Sequence, residues 1–131
     1  MKALVIAAYR PSGALLDLIA SLPKDEFAAV VVVDDGSGPK CADIFAQLRQ
    51  RGVTVTPHAA HIGRGAALRA GMHAALAETP ALDSIVLAEE FHTARDIGRV
   101  AAKRDALALG TRGRARCDQT AAARAVAGGS G

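Results

Sequence analysis

Two carboxylates stand side by side at the end of an apolar run: Asp34 and Asp35 follow Ala29 and four consecutive valines. Adjacent carboxylates suit a donor-rich partner such as base N–H groups, sugar hydroxyls or a metal-bound phosphate. Gly36 and Ser37 come next, so the same four residues also read as a turn. A second acidic pair, Glu89-Glu90, lies two residues before His92. It suits a divalent cation or a solvated loop. Between the two pairs lies Gly63-Arg64-Gly65. A glycine loop opening a helix lets backbone N–H groups approach an anion, and an arginine there adds a fixed charge and a two-pronged donor. Tyr9, the one tyrosine, follows the first apolar run and either packs or borders a ligand. His58, His61 and His92 lack the spacing of a zinc set.

These residues can cooperate only if the fold gathers them. The hydrophobic pattern predicts strands at Ala3–Ala8, Ala28–Val33, Val53–Thr56 and Asp83–Ala88, with a fifth at Ala106–Leu109. Helices alternate with them. Ser12 caps one that carries Leu15, Leu16, Ile19 and Leu22. Pro39 opens another through Phe45 and Leu48, which Gly52 ends. A third follows Gly65 with Leu68, Met72 and Leu76 on one face. A fourth starts at Thr93-Ala-Arg-Asp96, in the manner of a capping box, and runs to about Lys103. Alternating βα units imply an α/β fold, a mostly parallel sheet with helices on both faces. Right-handed crossovers then bring the loops after the strands to one edge. Tyr9, Asp34, Asp35, the loop 58–64 and the segment 89–92 all fall there, where ligands of open α/β sheets bind.

Composition narrows the function. Half of the 131 residues are hydrophobic, ample for one core. Aromatic residues are Tyr9, Phe27, Phe45 and Phe91 alone, too few for stacking single-stranded nucleic acid. The net charge of +3 lies wholly in residues 111–131; residues 1–110 carry twelve basic and twelve acidic side chains. That balance argues against a nucleic-acid partner. Cys41 and Cys117 are isolated thiols, which fits a reducing compartment. No signal-peptide core and no transmembrane segment of roughly 18 apolar residues is evident. The expected location is cytoplasmic, with or without peripheral attachment to a membrane.

Four segments, in order, resemble the family 2 glycosyltransferases of the GT-A fold, in particular the dolichyl-phosphate mannose synthase branch. They are Ile6-Ala-Ala-Tyr-Arg10, Val33-Asp-Asp-Gly-Ser37, Gly63-Arg-Gly-Ala-Ala-Leu-Arg-Ala-Gly71, and Ile85-Val-Leu-Ala-Glu-Glu-Phe-His92 with Asp96-Ile97 after it. A weaker match is Ala106-Leu-Ala-Leu-Gly-Thr-Arg112. The resemblance implies a Rossmann-like, GT-A nucleotide-binding half over residues 1–112. It implies a GDP- or UDP-sugar as donor, transfer of its hexose to an acceptor such as a polyprenyl phosphate, and a divalent cation, Mg²⁺ or Mn²⁺. Tyr9, Asp34 and Asp35 would meet the base and ribose, Gly63, Arg64 and Gly65 the region of the phosphates, and Glu89 and Glu90 the metal. No catalytic base is identified. The chain departs from the pattern at Ala7, where the family has proline, and at His61, where it has asparagine. Its Asp-x-Asp motif is replaced by Glu89-Glu90, whose side chains point to opposite faces if the backbone stays extended.

Nothing after Arg112 resembles the family's acceptor half. Residues 113–131 are an Ala/Arg/Gly-rich tail, expected to be disordered. That change in composition suggests a truncated product, with self-association through an exposed sheet edge. Three readings follow: a nucleotide-sugar glycosyltransferase, a catalytically inactive nucleotide-binding remnant, or an unrelated Rossmann-like module that uses the same edge for a dinucleotide.

Overall fold

The structure, a computed structural model, describes residues 1–23 and 25–110, with 103–110 described through the backbone alone. Four strands, β1 (Lys2–Ala8), β2 (Ala29–Asp35), β3 (Thr54–His58) and β4 (Ser84–Glu89), form one parallel sheet in the order β3-β2-β1-β4. The helices are α1 (Ala14–Ser21), α2 (Ala42–Gln50), α3 (Arg64–Glu78) and α4 (Ala94–Gly110). The expected α/β architecture is therefore observed.

Strand alternation divides the core in two. Leu4, Ile6 and Ala8 of β1 face α1, α2 and α4, together with Val32, Val86, Leu15, Phe45, Leu48 and Ile97. Ala3, Val5 and Ala7 face the other way, onto α3, with Val31, Val33, Ala67 and Ala75. Both faces of β1 are sealed, so it reads as an unbroken apolar run, as a central parallel strand should. Burying a side chain such as Leu4 or Ile6 stabilises the fold by roughly 1.5–3 kcal/mol.

The face of α3 differs from the expected Leu68-Met72-Leu76 stripe. Its buried positions are Ala67, Gly71 and Ala75, with Leu68 and Met72 half-buried at their flank and Leu76 exposed. Small residues at i, i+4 and i+8 let the helix axis approach the sheet closely. A Cβ on Gly71 would lie 2.3 Å from Val5 Cγ1 and 2.9 Å from Val33 Cγ2. The fifth strand expected at Ala106–Leu109 is helical instead and continues α4. Alanine and leucine are the strongest helix formers, so a helix begun upstream propagates through them. That start is reciprocal: the Asp96 N–H donates to Thr93 Oγ1 at 3.1 Å and the Thr93 N–H to Asp96 Oδ2 at 3.3 Å. The tail 113–131 and Cys117 lie outside the described residues.

Candidate functional site

The strand order reverses between β1 and β4. Consecutive crossovers carry the chain from β1 outward through β2 to β3, and α3 then returns it to the far side of β1. At such a switch point the loops leaving the two adjacent strands part and leave a crevice. Here the crevice is a cavity of about 310 Å³, lined by the end of β1 (Ala7, Ala8, Tyr9), by Asp35 and His61, by Arg64, and by the end of β4 (Glu89, Glu90, Phe91). This is within the range of small-molecule sites, roughly 300–1,000 Å³.

Tyr9, Asp35, Arg64, Glu89 and Glu90, singled out from sequence, thus share one cavity. Asp34, Gly63 and Gly65 do not line it. The half-buried Asp34 caps its own turn, its Oδ1 accepting the Ser37 N–H at 2.9 Å, while Ser37 Oγ accepts the Arg10 N–H at 2.9 Å. These bonds tie the ends of β1 and β2 together. Arg10 itself sits in the left-handed region at φ 52°, with its guanidinium 5.0 Å from the centre of the Tyr9 ring. Such backbone strain is common at ligand sites.

Asp35 is almost fully buried and is satisfied by its own chain. Oδ1 accepts the Ile62 N–H at 3.0 Å and Oδ2 the Gly63 N–H at 2.9 Å. His58, its partner in register on β3, brings Nδ1 to 3.1 Å from Oδ1, and His61 Nδ1 lies 2.9 Å from Oδ2. Burial alone would push this carboxyl up. The Ile62 N–H, the His58 ring, the Gly63 N–H and the charge of His61 together outweigh burial and hold it below the ordinary 3.8. The anion expected at the glycine loop is therefore supplied by the protein: the N–H groups before α3 already hold Asp35. Gly36 makes this possible. Its φ is +75°, and a Cβ there would lie 2.3 Å from the His61 nitrogen, so the turn after β2 and the loop after β3 are in backbone contact.

On the other wall, Arg64 Nη1 donates to Glu89 Oε2, bridging the start of α3 and the end of β4. The chain leaves the extended conformation at Glu89, and the His92 N–H closes a turn on the Glu89 carbonyl at 3.0 Å. Both glutamates therefore line the cavity, unlike the opposite faces an extended segment would impose. Burial raises the Glu90 carboxyl, the Tyr9 N–H and its own N–H lower it, and the Glu89 charge raises it again; the net shift is upward. Two mutually repelling carboxylates fit a divalent cation whose remaining ligands come from phosphate and water. Among the described residues no group of three His, Cys, Asp or Glu side chains is arranged to hold a metal by itself.

Sequence reasoning placed the loop 58–64 at the rim but missed the part His61 plays. Its ring stacks on Tyr9 with centroids 4.0 Å apart, and it lines the cavity. Its place two residues before Gly63, where the resembling family has asparagine, was the available signal.

No protein-family profile matches this chain. Over 96 residues it is 30% identical to an uncharacterized protein of Methanocaldococcus jannaschii. The match covers 73% of this chain and 38% of that relative, so the chain spans well under half of the relative's length. Among the described residues no helix is long and apolar enough to cross a membrane.

Proposed function

We propose that this chain is a nucleotide-sugar-binding domain of the GT-A type, which holds a GDP- or UDP-sugar in the cavity between β1 and β4 and presents its hexose to an acceptor. The observation that carries the reading is the convergence of Tyr9, Asp35, Arg64, Glu89 and Glu90, drawn from separate βα units, on one switch-point cavity. Tyr9 borders the base. Arg64, largely exposed, exchanges Glu89 for the diphosphate oxygens. Asp35 acts indirectly, by fixing the loop that carries His61 and Arg64. Glu89 and Glu90 are the residues to hold Mg²⁺ or Mn²⁺, which as a Lewis acid would offset charge on the departing diphosphate. In the transfer, an acceptor oxygen, such as that of a polyprenyl phosphate, attacks the anomeric carbon opposite the diphosphate. The new C–O bond forms as the old one breaks, and the centre inverts.

One observation favours a second reading, binding without turnover. Glu89 already has a guanidinium partner, so a cation must displace an ion pair to reach it. Calorimetric titration with GDP and UDP, with and without Mn²⁺, tests binding. Release of free nucleotide from the matching sugar nucleotide tests turnover. The transferase reading expects Mn²⁺-dependent release that is lost in Glu89→Ala. Binding without release selects the second reading, and no binding of either nucleotide overturns both.

A further inference from the structure

His61 is a cavity side chain whose free nitrogen is dictated by its neighbours. Its Nδ1 lies 2.9 Å from Asp35 Oδ2 and 3.3 Å from the Asp35 carbonyl oxygen. Both are acceptors, so Nδ1 carries the hydrogen and Nε2 is the nitrogen left to the cavity. The side chain is 50% exposed, and its ring leans on Tyr9 at an interplanar angle of 32°. A carboxylate that fixes one imidazole nitrogen orients the other for a ligand, as in metal sites and catalytic dyads. Asp35 of β2 favours the imidazolium, and His58 of β3 shares that carboxylate. Arg10, over Tyr9, and Arg64, Glu89 and Glu90, which line the same cavity, are the other charged groups on this side of the molecule. An anionic oxygen arriving beside Nε2 would pair with the protonated ring.

We propose that His61 is a ligand-binding residue whose Nε2, once protonated, donates to an anionic oxygen of the bound phosphate ester, so that ligand and proton are taken up together. This rests on the nucleotide reading above. It adds a specificity: the cavity prefers its phosphate-bearing ligand at mildly acidic pH.

Calorimetric titration with UDP-glucose and GDP-mannose is the test, because their esterified diphosphates do not titrate in the range used. At about pH 5.5 and about pH 8, in buffers of different ionisation heat, the unaltered protein should take up a proton on binding. Its affinity should rise about five- to tenfold toward the acid end. His61→Asn keeps an N–H toward Asp35 but cannot titrate, so it should still bind, with a flat profile and no proton uptake. His61→Gln serves if that variant misfolds by circular dichroism. His73→Asn, exposed on α3, should behave as the unaltered protein does. The imidazole nitrogen spectrum of the unaltered protein gives a readout without any variant: ligand must raise the titration midpoint of His61. Binding without proton uptake, uptake that survives His61→Asn, or uptake lost only in His58→Asn overturns this inference and leaves the nucleotide reading standing. No heat at any pH with either ligand overturns both.

Discussion

Asp35 lines the cavity, yet its oxygens are taken up by its own chain. Its two oxygens gather the Ile62 and Gly63 N–H groups and the rings of His58 and His61, and so set the path of the chain into α3. Asparagine would keep one acceptor and lose the charge. Asp35→Asn should therefore lower stability by about 2–3 kcal/mol, the range for buried charge-assisted hydrogen bonds, measured by urea unfolding at neutral pH. Because folding lowers the affinity of this carboxyl for protons, its contribution is complete above the unfolded value of 3.8. It is lost as pH falls through the lower folded value. The unaltered protein should lose stability steeply below pH 3.8, and Asp35→Asn less steeply. An unchanged midpoint at neutral pH would contradict this role. The sequence placed Asp35 at a strand end beside a turn, which was enough to flag it. It could not reveal that the donors come from residues 62 and 63, because a contact across that separation leaves no local pattern.

At the scale of elements, α3 decides how near the loop can come to β1. Its packing face is made of Ala67, Gly71 and Ala75, and Gly71 is where helix and sheet touch. Gly71→Ala gains roughly 1 kcal/mol of helix propensity. The new methyl meets Val5 at 2.3 Å in a packed layer, where overpacking costs about 1–3 kcal/mol. We expect net destabilisation of about 1 kcal/mol by chemical unfolding; a stabilised variant would show that the layer yields. Strands β1, β2 and β4, the glycine loop before α3 and the cap of α4 were all legible in the chain, because each is written in neighbouring residues. Two things were not. The face of α3 follows small residues rather than Leu76, since close approach to the sheet outweighs the burial of one more leucine. The run Ala106–Leu109 has the length of a strand and the composition of a helix, and the helix started at Thr93 takes it.

For the molecule as a whole, the strand order places the first and last strands side by side and thereby makes a crevice from residues far apart in the chain. That order is a property of connectivity, which hydrophobic periodicity does not encode; the sequence constrained only the common edge. Residues 1–110 have no net charge, so the proposed ligand would be drawn by local groups such as Arg64 and His61 rather than by a general field. A second groove, of about 360 Å³, lies at the opposite end of the sheet, among Leu22, Phe27, Val30 and Gly52, and provides an internal control. The most direct measurement is an amide chemical-shift titration of the protein with UDP and with GDP. The account predicts that the saturable shifts cluster on Ala8, Tyr9, His61, Arg64, Glu89 and Glu90. Shifts confined to Leu22, Phe27, Val30 and Gly52, or none with either nucleotide at millimolar concentration, would contradict it.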